Sequence, residues 1–347
     1  MTSFLLRCVI FAALLVSVLQ LVELAVPFYW GNSGFATKMA YLKESELRYD
    51  TLLVGSSRIF RQADPSIFDA ATGRLTSTFN LGVSATYNPE IYYLYEHLLD
   101  DDISSDVKFV LMELQSLNRI ASRNVATRAA IYSVDRKTCR FAVSTLSEVE
   151  VRPAKRAEAV GRYRVSYLQR FFKIHILREI LEFRFSPARS DIVLGPNRDG
   201  FYALELQVEE APGRSQAKIA LRAALLRSPE LIEQRRKRAT RIHRDPESWT
   251  FSETHLRRLE HIIERSRARG IEIRFVLPPR LPFAELAELL PIYERLDEDL
   301  TIDLADPRAH PEFYEMDYSF DVGHLNTRGA EHFTRLLAER FLASRDD

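Results

Sequence analysis

The chain has 347 residues, 46% of them hydrophobic and 28% charged, a globular composition with room for a sizeable core in one large domain or two ordinary ones. Lys plus Arg and Asp plus Glu both number 48, so no net basic field recommends nucleic acid as a partner. Cys8 and Cys139 are the only thiols, and Cys8 lies in an apolar run, so neither a disulfide framework nor a thiolate metal cluster is available.

The first element is apolar. From Cys8 to Val22 the sequence "CVIFAALLVSVLQLV" carries no charge; Arg7 precedes it and the apolar character resumes after Glu23 in "LAVPFYW". A bilayer crossing takes roughly 20 apolar residues. Residues 1–30 therefore read as an anchor spanning from about Phe4 to Trp30, with Tyr29 and Trp30 in the aromatic belt. A cleaved signal peptide would end at Ala25, but Glu23 occupies the position two before it, where a small residue is wanted. The segment reads as an uncleaved signal anchor. Arg7 keeps the N-terminus cytoplasmic and sends the body outward, which predicts a single-pass protein of the inner membrane with a periplasmic domain.

Strands are expected at 50–55, 77–83, 107–114, 271–278 and 300–306, and helices at 89–101, 251–270, 282–298 and 328–344. This alternation predicts an α/β fold: a parallel sheet flanked by helices in three layers, spanning 31–347. Residues 118–250 break the repeat. They are rich in Arg and mostly helical in pattern, and read as an insertion rather than a second domain. Within it, "SYLQRFFKIHILREILEF" (166–183) is amphipathic: core packing of the insertion is the leading reading, with a membrane-surface helix or a lid as alternatives. "RRKRATRIHR" (235–244) reads as a solvated helix face. The histidines lack metal-ligand spacing, so no metal and no cofactor is expected.

Two stretches carry chemistry. "LLVGSSRIF" (52–60) runs from a buried strand into Gly-Ser-Ser, at the strand end where open α/β folds place ligand-handling loops. Either serine could cap the next helix; one could be a nucleophile. A serine needs a base, and the base works best with a carboxylate that fixes its tautomer. "DVGHLNTRGAEHF" (321–333) supplies both, Asp321 and His324, in one loop before the last helix.

"LLVGSSRIF", "FNLGVSA" and "DVGHLNTRGA" resemble the first, second and fifth signature blocks of the SGNH/GDSL hydrolases, over most of 50–115 and 250–343. The resemblance implies that family's flavodoxin-like fold, with Ser57 as nucleophile, His324 as general base and Asp321 as its orienting partner. It implies the N–H groups of Ser57 and Gly82 as oxyanion donors. The third block departs: where the family shows Gly-x-Asn-Asp this chain has "ELQSLN", leaving Gln115 or Asn118 as substitutes. Arg58 either braces the loop or meets an anionic substrate, and Asn80, Ser84 and Asn88 are candidate substrate contacts. With its anchor the layout is similar to envelope proteins such as polysaccharide O-acetyltransferases and D-alanyl transfer proteins. That implies an acylated polysaccharide or other envelope ester as substrate and a multi-span membrane-bound O-acyltransferase as partner. A catalytically inactive scaffold binding a polysaccharide or an acyltransferase complex is the alternative.

Overall fold

In the computed structural model, residues 2–24, 26–117, 124–174, 176–185, 191–246 and 249–346 are described; Ala25, Asn118 and His175 lie outside them. In chain order the elements used below are α1 (Thr2–Leu24), α2 (Ser33–Glu44), β1 (Thr51–Val54), α3 (Ser57–Gln62), α4 (Pro65–Ala71), β2 (Thr78–Asn80), α5 (Glu90–Leu98) and β3 (Phe109–Glu113). The insertion contributes α6 (Arg136–Glu148), α7 (Pro153–Phe171), α8 (Leu177–Phe185), α9 (Leu204–Glu210), α10 (Gln216–Arg227) and α11 (Glu230–Arg244). Then follow α12 (Glu253–Arg267), β4 (Glu272–Leu277), α13 (Phe283–Tyr293), β5 (Thr301–Asp303) and α14 (Thr327–Asp346).

The five strands form one parallel sheet in the order β2-β1-β3-β4-β5. Its strands are apolar because helices cover both faces: Leu52, Leu53 and Val54 are all buried. The β1-to-β2 crossover runs the opposite way along the sheet from those that follow, so right-handed connections put its helix on the other face. Accordingly α5, α12 and α13 share one face, tied by Tyr95 to Ser266 at 2.8 Å and Glu96 to Arg258 at 2.5 Å. On the other, α4 meets α14 through Phe68 and Phe341. The order reverses at β1, so the crevice of such a sheet opens above the carboxyl ends of β1 and β3. Both informative loops converge there.

The insertion packs onto this body. Asp199 O accepts the Asn80 N–H at 2.9 Å, extending the edge beside β2, and Glu205 of α9 accepts the Thr327 N–H at the start of α14 at 2.8 Å.

Ser3–Leu24 of α1 is long and apolar enough to cross a membrane, with an 18-residue stretch of mean hydropathy 2.5 of which nothing is buried in the protein. The helix ends earlier than expected. Pro27 follows, and Trp30 N–H donates back to Pro27 O at 3.1 Å in a turn that folds Tyr29 and Trp30 into the core instead of an interfacial belt. Trp30 packs edge-on against Tyr132.

One buried acid gives a pH-dependent expectation. Glu288 on α13 accepts the Leu117 N–H at 2.8 Å, and burial pushes its carboxyl from 4.5 up to about 8, with the Glu285 charge adding to the rise. Between those values the unfolded chain releases the proton that the folded chain keeps. Stability is therefore lost as pH rises through this window. Glu288→Gln keeps the acceptor for Leu117, so it should raise stability by about 1–3 kcal/mol at pH 8 and by almost nothing near pH 4, since each pKa unit corresponds to ~1.4 kcal/mol. Thermal unfolding at both pH values checks this; an equal gain at both would refute the buried-acid account.

Candidate active site

The two serines after β1 take different tasks. Ser56 is the N-cap of α3, its Oγ accepting the Arg58 N–H at 3.2 Å. Ser57, the first helical residue, is thereby released from capping. Its Oγ lies 2.9 Å from Nε2 of His324.

The other ring nitrogen of His324 meets both Asp321 oxygens, at 3.1 and 3.0 Å. A carboxylate there fixes Nδ1 as the protonated nitrogen and leaves Nε2 to accept from the Ser57 hydroxyl. Burial works against the Asp321 charge, but hydrogen bonds from the His324 ring and from the N–H groups of Gly323 and His324 outweigh it and hold the carboxyl below its ordinary value. Asp321 thus stays ionised through the neutral range. The structure brings Ser57 and Asp321 each within hydrogen-bond distance of His324 at the sheet's switch point.

What holds Ser57 in place is a buried acid that the sequence reading passed over. Glu113, the last residue of β3 and fully buried, accepts the Ser56 N–H at 2.6 Å with one oxygen, and its other oxygen pairs with Arg58 at 3.2 Å. This explains Gly55: a Cβ there would stand 2.3 Å from Ile59 and 2.7 Å from the Glu113 carboxylate. Arg58 also pairs with Glu285 at 3.2 Å, so its cation is matched by two carboxylates. It braces the loop that carries Ser57 and has no free charge for an anionic substrate.

Several expected contacts turn inward. Asn80 is fully buried: its amide donates to Ile59 O and Ala63 O, and its Oδ1 accepts the Gly82 N–H at 2.8 Å. Asn80 therefore ties α3 to the strand end, and the Gly82 donor is engaged rather than open to an oxyanion. Gly82 lacks a side chain because a Cβ would stand 2.5 Å from the Phe60 backbone nitrogen. Asn88 is buried, donating to Gln115 O at 2.8 Å. Gln115 gives its own amide protons to Glu113 at 3.2 Å and to Thr86 O at 3.5 Å, so it is not an oxyanion donor either. Ser84 is exposed on the same loop.

That loop also carries a backbone N–H left without an acceptor among the described residues. Val83 N–H donates to Gly55 O at 2.9 Å, laying residues 83–86 beside the turn that carries Ser57. Ala85 follows with φ of 62°, left-handed backbone seldom used by a residue with a Cβ. Among the described residues no acceptor takes the N–H of Ala85 or of Ser57. Beneath the loop, Lys38 of α2 is buried and donates to the carbonyls of Asn80, Gly82 and Gly200 at 2.8, 2.7 and 2.6 Å. Burial drives its ammonium well below its ordinary pKa.

Arg280 does the same for the opposite half of the site. Its guanidinium bonds Phe313 O, Asp321 O, His324 O and Glu315 O, closing the loop around the imidazole from below.

Compared with models of known families, with curated proteins and with solved structures, the chain matches none.

Proposed function

We propose that the protein is an SGNH-like serine esterase or O-acyltransferase, anchored by α1 in the inner membrane, with its catalytic domain outside the cytoplasm and acting on cell-envelope or exported polysaccharide esters. The observation that supports this reading is the Ser57–His324–Asp321 relay, with 2.9 Å between hydroxyl and base. In the proposed reaction, His324 Nε2 takes the hydroxyl proton as Ser57 Oγ attacks an acyl carbonyl, and Asp321 stabilises the imidazolium. The oxyanion is received by the N–H groups of Ser57 and Ala85, since the Gly82 N–H and the Gln115 amide are engaged elsewhere. Collapse releases the alcohol, protonated by His324, and leaves acyl-Ser57. Water or a sugar hydroxyl then attacks with His324 again as base, and the choice depends on which of them the cleft admits. A multi-span O-acyltransferase is the proposed partner, as donor of the acyl group.

A second reading, an inactive scaffold that binds a polysaccharide or an acyltransferase complex, draws on one observation: no side-chain amide among the described residues is free to complete the oxyanion hole where Gln115 sits. Losing one such donor costs about 10²–10³ in turnover. A membrane-impermeant biotinylated fluorophosphonate applied to spheroplasts separates the readings. Labelling that maps to Ser57 in unbroken spheroplasts supports both the nucleophile and its export. Labelling only after lysis overturns the orientation, and no labelling of the folded protein at all leaves the scaffold.

A further inference from the structure

We infer that the face formed by α7, the turn after it and α8 rests on the lipid surface beside α1, and that the adjoining basic edge of α6 and α7 holds an anionic phospholipid headgroup. The inference requires α1 to span the bilayer and makes no use of the chemistry at Ser57.

Contacts between α1 and the insertion set the level. Gln20 donates to Phe171 O at 2.6 Å, and Glu23 is held by Arg170 at 2.7 Å and by Lys173. At a rise of about 1.5 Å per residue, Gln20 sits about 6 Å short of Leu24 along the helix. Roughly 20 residues cross the hydrocarbon core, and counted from Phe4 they end close to Glu23. The α7–α8 turn is therefore pinned at the height where hydrocarbon gives way to headgroups.

What it shows at that height is a set of large apolar side chains beside an exposed Arg178–Glu182 pair. Leu168, Phe172, Ile174, Leu181 and Phe185 are all exposed, Phe185 at 78%. A soluble surface seldom gathers so many large apolar side chains without a partner. Here the turn that carries Phe172 and Ile174 is joined through Gln20 and Glu23 to α1, whose own apolar side chains are exposed. Any protein partner on it would have to displace the lipid that α1 brings alongside, which is why the bilayer is the occupant assigned.

The polar edge of this face is cationic. A groove of about 330 Å³ between α1 and the insertion is lined by Gln20, Glu23, Asp135, Arg136, Tyr167 and Arg170 among others. A second groove, of about 220 Å³, shares Arg136 and Tyr167 and adds Arg140 and Arg164. The two carboxylates are engaged: Glu23 by Arg170 and Lys173, and Asp135 as N-cap of α6, accepting the Thr138 N–H at 2.7 Å. Among the described residues Arg136, Arg140 and Arg164 enter no ion pair. Three open guanidiniums at headgroup level suit a phosphodiester, since the bidentate fork matches phosphate oxygens.

The test uses the full chain, with Cys8→Ala, Cys139→Ala and Phe172→Cys carrying a nitrobenzoxadiazole dye, one copy per phosphatidylcholine nanodisc with or without phosphatidylglycerol; removing Cys139, which lines the second groove, leaves position 172 as the one thiol. Lipids spin-labelled high on the acyl chain should quench the dye severalfold more at 172 than at Lys237→Cys on α11. Phosphatidylglycerol should deepen the quenching, and Arg136→Gln, Arg140→Gln and Arg164→Gln together should erase that increment. Equal quenching at 172 and 237 overturns the lipid contact. A phosphatidylglycerol effect that survives the three substitutions overturns the headgroup site. Shielding of the dye at 172 only when two copies share a disc gives the face to a second copy and overturns the inference. Alkaline extraction of membranes reads the integrity of the α1 anchor separately.

Discussion

Ser57→Ala should reduce turnover of a small activated acetyl ester by about 10⁴–10⁶-fold while leaving the unfolding midpoint nearly unchanged, because the cap of α3 belongs to its neighbour. Ser56→Ala should do the reverse. It removes the Oγ that accepts the Arg58 N–H at 3.2 Å, which costs about 0.5–2 kcal/mol of stability, and it spares the hydroxyl that faces His324. The pair of variants thus separates two jobs that adjacent, chemically identical side chains hold within one turn. His324→Ala should match Ser57→Ala, and the double variant should be scarcely worse than either, since the two act as a unit. Asp321→Asn should fall between: an amide can still occupy the site, but it favours the wrong imidazole tautomer and no longer stabilises the imidazolium. Steady-state kinetics beside thermal unfolding checks all five. A folded Ser57→Ala protein that turns the ester over at the wild-type rate removes the nucleophile from the proposal.

The sheet was legible because a parallel strand covered on both faces is written as a short apolar run, and all five runs, from Thr51–Val54 to Thr301–Asp303, became strands. The meeting of Ser57 with His324 was legible for a related reason: Gly-Ser-Ser and Asp-Val-Gly-His each occupy a loop beside a regular element, so their order fixed their place. Polarity alone did not say which way a loop side chain points. Asn80 and Asn88 have the composition of a substrate-facing rim, yet both bond backbone carbonyls inward, since a loop that leaves the ladder must satisfy its neighbours' carbonyls by other means. The groups that hold the site were silent for another reason. Lys38 reaches Gly200, Glu113 reaches Ser56 and Arg280 reaches His324, contacts made across the sheet between elements distant in sequence, and no local spacing encodes them. Ala85 was hidden by its identity, because a positive φ is expected of glycine.

Arg280 carries the second large expectation. It lies just past β4, is fully buried, and itself adopts a φ of 63°, a conformation with a cost of order 1 kcal/mol that only a strong local network maintains. Burial lowers its guanidinium to about 10, which leaves it cationic at neutral pH with donors to four carbonyls, those of Asp321 and His324 at 3.2 Å among them. Arg280→Met deletes every one of these donors and strands the carbonyls in the interior, so it should destabilise the protein by about 3–5 kcal/mol, as breaking a buried charged network does. Such a variant can fail to fold, and Arg280→Lys keeps the question answerable. A lysine retains the charge but gathers its three protons on one atom and cannot span carbonyls that the planar fork reaches from three nitrogens. The loop should close with its imidazole displaced. A misplacement of about 1 Å costs on the order of 10²-fold in rate, so kcat for the acetyl ester should fall by about that factor with KM nearly constant, and fluorophosphonate labelling of Ser57 should slow in parallel. A merely structural arginine would lower the unfolding midpoint and leave kcat of the folded fraction where it was, and that result would take Arg280 out of the positioning role.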